Sequence, residues 1–596
     1  MNFQRNNLDL ADSPYLRQHK DNPIWWQDWN NEVLSYALQN QKLIFVSSGY
    51  STCHWCHVMA ADSFSNLEIA NELNKNFVCI KIDREIRPDI DHFLMEFMNE
   101  NYGSGGWPLN VILTPDKKPF FAGTYIGSEP RYGMPSFLEL LEKIQVYYLE
   151  KKDVFTNFQL KSNKDRFSDS DAIESTIINY HDKTYGGFGQ SMKFPPHNTL
   201  LFLIHLFEEN QKPEFKEIIT KTLDSIALYG LHDHLQGGFY RYCVDRAWSV
   251  PHFEKMLYDQ AMLLMVYSAA AKVLKNENYE IVAKNIIECL NQTFEIDGLF
   301  CSAFDADTNH HEGLTYLWSD SELIEILGDK LSKFNELYEM LEFEGKGHLH
   351  KKSHKYDNEI EKLLLDARRK KEQPFRDDKI LTSWNSILGI GFIYAFRTFH
   401  DDSYLEIAKN IYKLISEKLS IDGDLYHSML DSKLSGNGFL EDYASFLLFI
   451  TFLSEETEIE DNLISRFKDK LLDFKINNIW YESINSELGM IPAKDVDHPT
   501  PSSISMAEMA LLRSRIILGE DYSELQFKEG TNFDFYNLAV LLSQGMFNQF
   551  YSIDRIKWQK LPINTMQIIE NHYANCYKGR CDMYSSMEEM ESQMLK

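Results

Sequence analysis

The chain has 596 residues, 44% of them hydrophobic, and a formal net charge of −29. This length exceeds one hydrophobic core, so two or three domains are expected. The negative charge disfavours binding to nucleic acid or anionic membranes, and no apolar run reaches the roughly 18 residues of a transmembrane helix. Because the N-terminus carries no basic-then-apolar signal pattern, we expect a cytoplasmic protein whose thiols stay reduced.

The first chemically informative element follows a predicted buried strand at residues 43–46. After a Ser/Gly/Tyr turn, Cys53 and Cys56 stand two residues apart where a helix begins. A C-x-x-C pair at a strand-to-helix junction is typical of thioredoxin-like redox sites. The unpaired N–H groups and the dipole of a helix N-terminus stabilise a thiolate. We therefore predict that Cys53 is the nucleophile and Cys56 the resolving thiol. The residues expected to tune Cys53 are His54, Trp55 and His57.

Three other interpretations of the cysteine pair stay open. With His57 the motif is formally C-x-x-C-H, the haem attachment pattern of exported proteins. Two cysteines and two histidines within five residues would form a zinc half-site, but zinc usually takes ligands from a second element as well. The pair would also be compatible with an idle thiol pair, since a fold does not imply a function. We predict a dithiol that uses no metal and no cofactor.

The next elements continue a thioredoxin-like pattern. A helix is predicted over residues 58–74, and β-branched strands over 77–83 and 109–113. Thioredoxin-like folds place a cis-proline beside the dithiol, at the start of a strand. The candidate is the bond between Trp107 and Pro108, because cis peptide bonds are essentially an X-Pro feature. These two residues would shape a substrate groove; an ordinary trans turn is the alternative.

The second half of the chain has a helical pattern. A polar stretch at residues 159–171 is typical of a linker. Glycine-aromatic turns then recur, and the first three of them lie about 50 to 60 residues apart. Helix pairs at this spacing predict an α/α toroid or solenoid whose loops gather at one end as a cleft. A plain repeat scaffold with capping loops is the alternative. The long helical patterns are 199–208, 260–275, 279–293, 384–398, 404–419 and 439–454.

Several clusters in the helical half combine acidic, aromatic and histidine residues. The densest lies at residues 237–259, where His252 follows Pro251, a residue that should start a helix and place His252 in its first turn. Carbohydrate sites need such a mixture of aromatic platforms and proton-transfer groups. For each residue alone, exposure to solvent or loop packing is the default. The cleft candidates are Arg241, His252, Glu254, Asp259, Asp305, Asp307, Trp384, Asn385 and Asp442.

The remaining cysteines offer little chemistry. Cys79, Cys289 and Cys301 stand in apolar surroundings and are predicted packing residues. Cys576 and Cys581 are too far apart for C-x-x-C chemistry. Surface thiols or a disulfide are predicted there, and a redox relay with the N-terminal dithiol is the alternative.

Several longer motifs are spread over nearly the whole chain. They include SPYLRQH at 13–19, STCHWCHVM at 51–59, GGWPL at 105–109, GGFG at 186–189, VPHFEKMLYD at 250–259 and LTSWN at 381–385. Through these motifs the sequence resembles the spermatogenesis-associated protein 20-like family. The resemblance implies a thioredoxin-like domain with a dithiol at Cys53 and Cys56, joined to a six-hairpin glycosidase-like (α/α)6 toroid, and it supplies no reaction. Small departures from the family pattern occur at Asp62 and Ser386.

From these observations we expect a thioredoxin-like domain at residues 1–165, a toroid at 170–515 and a C-terminal extension at 516–596 packed on one of them. The leading hypothesis is a thiol-disulfide oxidoreductase acting on a disulfide-containing protein or a small-molecule thiol. The second is a protein that binds or modifies a carbohydrate in the toroid cleft. The third is a non-enzymatic scaffold that binds protein partners.

Overall fold

The computed structural model describes residues 2–131, 133–151, 154–160, 170–525, 527, 534–556, 558, 560–569 and 571–594; most of the predicted linker lies outside the described residues. The helices are α1 (Pro14–Gln18), α2 (Asn31–Gln39), α3 (His54–Ala61), α4 (Leu67–Asn76), α5 (Pro88–Tyr102), α6 (Phe137–Lys151), α7 (Ser170–Tyr180), α8 (His197–Asn210), α9 (Pro213–Leu228), α10 (Leu257–Leu274), α11 (Glu277–Cys289), α12 (Asp320–Leu327), α13 (Leu331–Leu337), α14 (Asn358–Arg368), α15 (Thr382–Phe399), α16 (Asp402–Lys418), α17 (Leu440–Ser454), α18 (Asp461–Leu472), α19 (Ser503–Leu518), α20 (Asp534–Ser543) and α21 (Met587–Met594).

The strands are β1 (Trp26–Asp28), β2 (Leu43–Gly49), β3 (Phe77–Asp83), β4 (Leu109–Leu113), β5 (Pro119–Gly123), β6 (Tyr242–Cys243), β7 (Pro251–His252), β8 (Lys255–Met256), β9 (Glu295–Ile296), β10 (Leu299–Phe300), β11 (Ala303–Phe304), β12 (Asp307–Thr308), β13 (His311–Glu312), β14 (Tyr338–Phe343), β15 (Lys346–Lys351), β16 (Arg376–Asp377), β17 (Ile380–Leu381), β18 (Ser420–Ile421), β19 (Asp424–Leu430), β20 (Lys433–Asn437), β21 (Lys475–Ile476), β22 (Ile479–Ser486), β23 (Gly489–Pro492), β24 (Gln549–Ser552), β25 (Thr565–Ile568), β26 (Tyr573–Tyr577) and β27 (Arg580–Tyr584).

The chain forms two compact units. The first comprises Met1–Ser162, Asp305–His310 and Ile476–Ala493, and the second comprises Asn163–Phe304, His311–Lys475 and Lys494–Lys596. Two short segments from the helical half of the sequence therefore belong to the first unit. The domain limits drawn from the sequence stay a prediction.

The first unit is built on a five-stranded sheet in the order β1-β3-β2-β4-β5. The first three strands are parallel, β4 runs antiparallel to β2, and the edge strand β5 runs antiparallel to β4. Every residue of β2 and β3 is buried, as expected for central strands covered on both faces. The strand predicted to end at residue 46 extends to Gly49, because Ser47 and Ser48 satisfy their hydroxyls inside the fold, on Lys81 and Asp91.

The helix predicted over residues 58–74 is two helices. The first, α3, begins at His54 and ends at Ala61, and α4 begins after a turn. Asn66 starts α4 as its N-cap, since its side chain accepts the N–H groups of Glu68 and Ile69. The prediction missed this break because an uninterrupted polar-apolar pattern conceals a cap in its middle.

The hairpin of β22 and β23 belongs to the first unit, although the sequence predicted no such role. Glu487, in its turn, accepts hydrogen bonds from Arg87 at 2.7 Å and from the Trp29 indole at 3.1 Å. Ile491 is buried in the core of this unit, with Leu488 partly buried against it. A polar contact and an apolar contact thus hold a segment some 400 residues downstream against the first 100.

The second unit is a closed ring of helices. The inner helices α8, α10, α15, α17, α19 and α20 each pack against the next, and α20 packs against α8. Among the described residues, the outer helices α9, α11, α16 and α18 pack against α8, α10, α15 and α17, and α7 packs against α9. The inner helix α10 is buried from Leu257 to Ala271, whereas the outer helix α16 buries only one face. The prediction of an (α/α)6 toroid is confirmed.

The six long helical patterns of the sequence correspond to α8, α10, α11, α15, α16 and α17. The predicted end of the third at residue 293 reflects a π-helical turn, Leu290–Phe294, that continues α11. The last part of the chain forms a sheet in the order β25-β24-β26-β27, and α19 packs against β25. No helix in the described ranges is both long and apolar enough to cross a membrane.

The two glycine turns that begin at Asp182 and Asp233 are held by the same arrangement of a buried aspartate and a buried lysine. Asp182 accepts the N–H groups of Thr184 and Tyr185, and the buried Lys193 donates both to Asp182 and to the first glycine's carbonyl. Asp233 likewise accepts the backbone N–H groups of Leu235 and Gln236. Its lysine is Lys255, which again donates to the carboxylate and to the first glycine's carbonyl. The repeated turn is therefore an anchored structural unit as well as a loop.

Candidate functional site

Cys53 and Cys56 form a disulfide across the first turn of α3. Cys53 is the N-cap, and its sulfur accepts the backbone N–H of Cys56 at 3.2 Å. The predicted position of the pair, between a buried strand and a helix N-terminus, is confirmed. Both cysteines are buried, with 3% and 1% of their surfaces exposed. Trp55 between them is 48% exposed and packs its ring near Tyr125.

Tyr15 lies behind the disulfide. A Cβ atom placed on Gly49 would stand 2.2 Å from Tyr15 Oη and 2.7 Å from Cys56 Sγ, so both atoms border the same small space and only glycine fits there. Tyr15 Oη is buried and has no hydrogen-bond partner among the described residues. Burial raises the pKa of Tyr15 well above its usual value, and the charges of Asp83 and Asp91 raise it further. Tyr15 belongs to the motif at residues 13–19, and the sequence alone predicted no role for it.

The two histidines of the motif point to two aspartates. His57 Nε2 lies 2.9 Å from Asp305 Oδ2, and His54 Nδ1 lies 2.7 Å from Asp307 Oδ1. The backbone N–H of Asp307 donates to Asp305 Oδ1 at 3.0 Å. Burial alone would lower the pKa of His57, but the hydrogen bond and charge of Asp305 outweigh it, so this pKa lies above its usual value.

Asp305 and Asp307 were assigned to the toroid cleft in the sequence analysis. The structure instead places them in the first unit, against α3, in the segment Asp305–His310. No local signal predicts this contact, because the partners stand about 250 residues apart and hydrogen-bonding capacity alone does not select one histidine.

The peptide bond between Trp107 and Pro108 is cis, as predicted. The Trp107 indole donates a hydrogen bond to Asp91 Oδ1 at 2.9 Å, and the Arg84 guanidinium lies 3.9 Å from the centre of its ring. Trp107 is therefore held by a carboxylate at its edge and a cation on its face.

The second unit has its own buried polar cluster. Arg241 Nη1 donates to Glu254 Oε1 at 3.0 Å, and His252 Nδ1 lies 3.5 Å from Glu312 and 3.7 Å from Glu254. Nearby in the chain, Asp259 stands at the start of α10. The structure thus brings together the predicted Arg241, His252 and Glu254, and adds Glu312.

Asp259 pairs with His197, the first residue of α8, at 3.3 Å. Burial raises the pKa of Asp259 above its ordinary value, although the neighbouring His197 opposes the rise. His197 was missed in the sequence analysis; it follows two prolines, which do mark a helix start.

His252 does not lie in a helix, so that prediction was wrong. Pro251–His252 is strand β7, paired with Tyr242–Cys243, and α10 begins only at Leu257. A proline is compatible with a helix start and equally with a short edge strand, because neither requires its missing N–H. The neighbouring strand decides between them.

The other three cleft candidates have structural contacts. Trp384 packs edge-on against Tyr258, with ring centres 4.8 Å apart. Asn385 hydrogen-bonds both backbone groups of Phe300. Asp442 accepts the backbone N–H groups of Ser383 and Phe439 and lies 2.8 Å from His427 Nδ1. Asp442 therefore ties together the starts of the inner helices α15 and α17, and Asn385 ties α15 to β10.

The remaining cysteines lie where packing or pairing was expected. Cys79, Cys289 and Cys301 are buried and unpaired as thiols, which confirms the packing prediction. Cys576 and Cys581 face each other across β26 and β27 and form a disulfide.

Two groups of side chains in the described part of the chain have donor atoms within 4.8 Å of one another and suit a metal ion. One is His57 with Asp305 and Asp307; the other is His427 with Glu441 and Asp442. In the second group, Asp442 already uses both oxygens on backbone N–H groups.

Sequence comparisons agree with this architecture. The model of a family described as "Protein of unknown function, DUF255" (Thioredox_DsbH) matches residues 5–168. An uncharacterised protein of Caenorhabditis elegans is 33% identical, over 87% of this chain and 82% of that protein. Spermatogenesis-associated protein 20 of Homo sapiens is 30% identical, over 85% of this chain and 75% of its own length, and that of Mus musculus is 34% identical over 65% and 58%.

Solved structures of sugar-converting enzymes are similar to the chain at low scores. A cellobiose 2-epimerase of Spirochaeta thermophila has a TM-score of 0.41 at 11% identity, covering 68% of this chain and 97% of that one. A D-mannose isomerase has a TM-score of 0.40 at 12% identity, covering 58% and 79%. At scores this low the toroid assignment stands on the helix packing alone.

The fold and the dithiol define a protein in which a thioredoxin-like domain is joined to an (α/α)6 toroid. Its length, its motifs and the identity to full-length relatives place it more narrowly. The chain belongs to the spermatogenesis-associated protein 20 family.

Proposed function

We propose that the protein is a thiol-disulfide oxidoreductase that acts through Cys53 and Cys56. The observation that carries this proposal is the disulfide closed across the first turn of α3, with the Cys53 sulfur as the helix N-cap. A sulfur at this position faces unpaired N–H groups and the positive end of the helix dipole. Such surroundings favour a thiolate at Cys53 once the disulfide is reduced.

The reaction transfers two electrons from the dithiol to a substrate disulfide. The Cys53 thiolate attacks one substrate sulfur, the substrate S–S bond breaks, and the departing sulfur takes up a proton as a thiol. Cys56, losing its proton, then attacks Cys53 Sγ, which releases the second substrate thiol and forms the Cys53–Cys56 disulfide. A thiol reductant, either a small molecule or another dithiol protein, regenerates the reduced pair by the reverse exchange.

One neighbouring side chain and the burial of Cys53 set the conditions of this exchange. Tyr15 Oη borders the Cys56 sulfur and is buried, so its hydroxyl is placed to hydrogen-bond that sulfur when the disulfide opens. Because only 3% of Cys53 is exposed, a protein substrate reaches it after local opening, whereas a small thiol needs less movement. The predicted cytoplasmic location suits a thiol-based cycle and stays a prediction.

The test is to trap the mixed disulfide. In a Cys56→Ser variant the second step is blocked, so Cys53 should accumulate covalent partners that a reductant releases. The matched control, Cys53→Ser/Cys56→Ser, keeps every other cysteine and should trap none. A redox titration of the wild type in glutathione buffers, read by mass after alkylation, should show a reversible two-electron transition. An unreactive pair with no trapped partner would overturn the proposal.

A second candidate function is carbohydrate binding or modification in the second unit. The observation that favours it is the buried group of Arg241, His252, Glu254 and Asp259, a carboxylate-rich cluster with a raised pKa at Asp259. Buried acids of this kind are found where proton transfer takes place. A panel of mono- and disaccharides should raise the melting temperature of the wild type but not of Asp259→Asn. Absence of any sugar-dependent shift would argue against this candidate.

A further inference from the structure

We infer that His57, Asp305 and Asp307 form a binding site for a divalent transition-metal ion of the zinc type, next to the dithiol. Their donor atoms lie within 4.8 Å of one another, and His57 Nε2 is 2.9 Å from Asp305 Oδ2. Zinc binds histidine nitrogen and carboxylate oxygen at about 2.0 to 2.2 Å, which sets neighbouring ligands of a tetrahedron roughly 3.3 Å apart. Small side-chain movements therefore bring the three atoms to zinc distances.

The ligands come from two distant elements of the first unit. His57 lies on α3, and both aspartates lie in the segment Asp305–His310, so the second element that a zinc half-site lacks in the sequence is supplied by the fold. Three protein ligands with a fourth position left for water form a recurrent zinc arrangement.

The surroundings orient these ligands. His54 Nδ1 contacts Asp307 Oδ1 at 2.7 Å, and the backbone N–H of Asp307 holds Asp305 Oδ1. Outer hydrogen bonds of this kind fix the direction of ligating carboxylates. Both aspartate side chains are mostly buried beside each other, so a cation between them offsets the burial of two negative groups.

The other His-carboxylate group provides a contrast within the same chain. The two carboxylate oxygens of Asp442 accept the backbone N–H groups of Ser383 and Phe439, and Glu441 Oε1 lies 3.9 Å from His427 Nδ1. These hydrogen bonds connect helix starts and leave the carboxylate little freedom to turn toward an ion. In the first group, by contrast, Asp305 Oδ2 lies 2.9 Å from His57 Nε2 and accepts no backbone N–H group from the described residues, since the N–H of Asp307 is on Oδ1.

The test measures zinc binding in full-length Cys53→Ser/Cys56→Ser protein without reductant. This background removes both thiols, so its result does not depend on the redox proposal. Competition between the protein and a chromophoric chelator for added zinc should show one tight zinc ion per chain. His57→Ala and Asp307→Asn should each weaken binding by more than ten-fold, and His54→Ala by about ten- to one-hundred-fold through lost orientation.

Two controls keep the test decisive. His310→Ala removes an exposed imidazole from the same segment and should leave the affinity unchanged. Cobalt(II) in place of zinc should give visible d–d absorption bands with no sulfur charge-transfer band, a signature that a merely structural substitution does not create. Circular dichroism of each zinc-free variant reports folding separately. Absence of bound zinc, binding that survives both ligand substitutions, or a sulfur band in the cobalt spectrum would overturn the inference.

Discussion

The anchored glycine turns allow a quantitative test of buried charge. Asp233 receives Lys255 at 2.6 Å and two nitrogens of Arg368 at 2.8 and 2.9 Å, and all three side chains are buried. Burial alone would raise the pKa of Asp233, but the charges of Arg368 and Lys255 outweigh it and hold this pKa far below its usual range. The carboxylate is therefore ionised in the folded protein at any pH near neutral.

Replacing Asp233 with asparagine keeps the volume of the side chain and leaves two buried cations without their counter-charge. Removing one partner of a buried ion pair costs about 3 to 5 kcal/mol. The same substitution at Asp182 should cost less: Lys193 is buried there too, but Arg246 is 38% exposed and can be hydrated. The chain thus provides its own matched control in the preceding repeat.

The assay is urea denaturation followed by far-ultraviolet circular dichroism, comparing the midpoint of the same transition because a long chain need not unfold in one step. The depressed pKa of Asp233 favours the folded state only while its carboxylate is ionised. The stability lost on Asp233→Asn should therefore be full above the ordinary aspartate pKa and shrink as the pH falls below it. Equal shifts for Asp233→Asn and Asp182→Asn, or a change below about 1 kcal/mol at Asp233, would refute the reasoning.

Further predictions concern the first unit. Gly49→Ala should destabilise it by about 1 to 3 kcal/mol through overpacking, and adding Tyr15→Phe should recover part of this loss, which a double-mutant cycle in urea would measure; no recovery would mean that Tyr15 Oη is not the obstructing atom. Asn66→Ala should cost about 1 kcal/mol by removing the cap of α4, and Asn66→Asp, which keeps a capping oxygen, should lose less in the same assay. Glu487→Gln should weaken the contact with Arg87 by about 1.5 to 3 kcal/mol at neutral pH. Burial alone would raise the pKa of Glu487, but Arg87 lowers it overall, so the wild-type advantage should vanish as the pH falls through and below that lowered pKa; an advantage independent of pH would contradict an ionic role.

Local patterns predicted much of the secondary structure. The alternating apolar residues of β3 and β4, the cysteines at the start of α3 and the long inner helices follow from the chain's own periodicity and caps. The cis peptide bond before Pro108 could also be predicted from the sequence, since proline is the residue that permits such a bond. The strand at His252 could not be predicted from the sequence, because a proline can begin a helix or an edge strand.

What the sequence by itself determined is the class of each unit and the place of the dithiol, because hydrophobic period, capping residues and glycine turns act over a few neighbouring residues. Only the tertiary structure decided that Asp305 and Asp307 meet the dithiol helix, that Glu487 holds Arg87, and that α20 closes the ring on α8. These contacts join residues hundreds of positions apart. The path of the whole chain decides which residues become partners. Every aspartate has the same hydrogen-bonding capacity, so this capacity does not specify the partner.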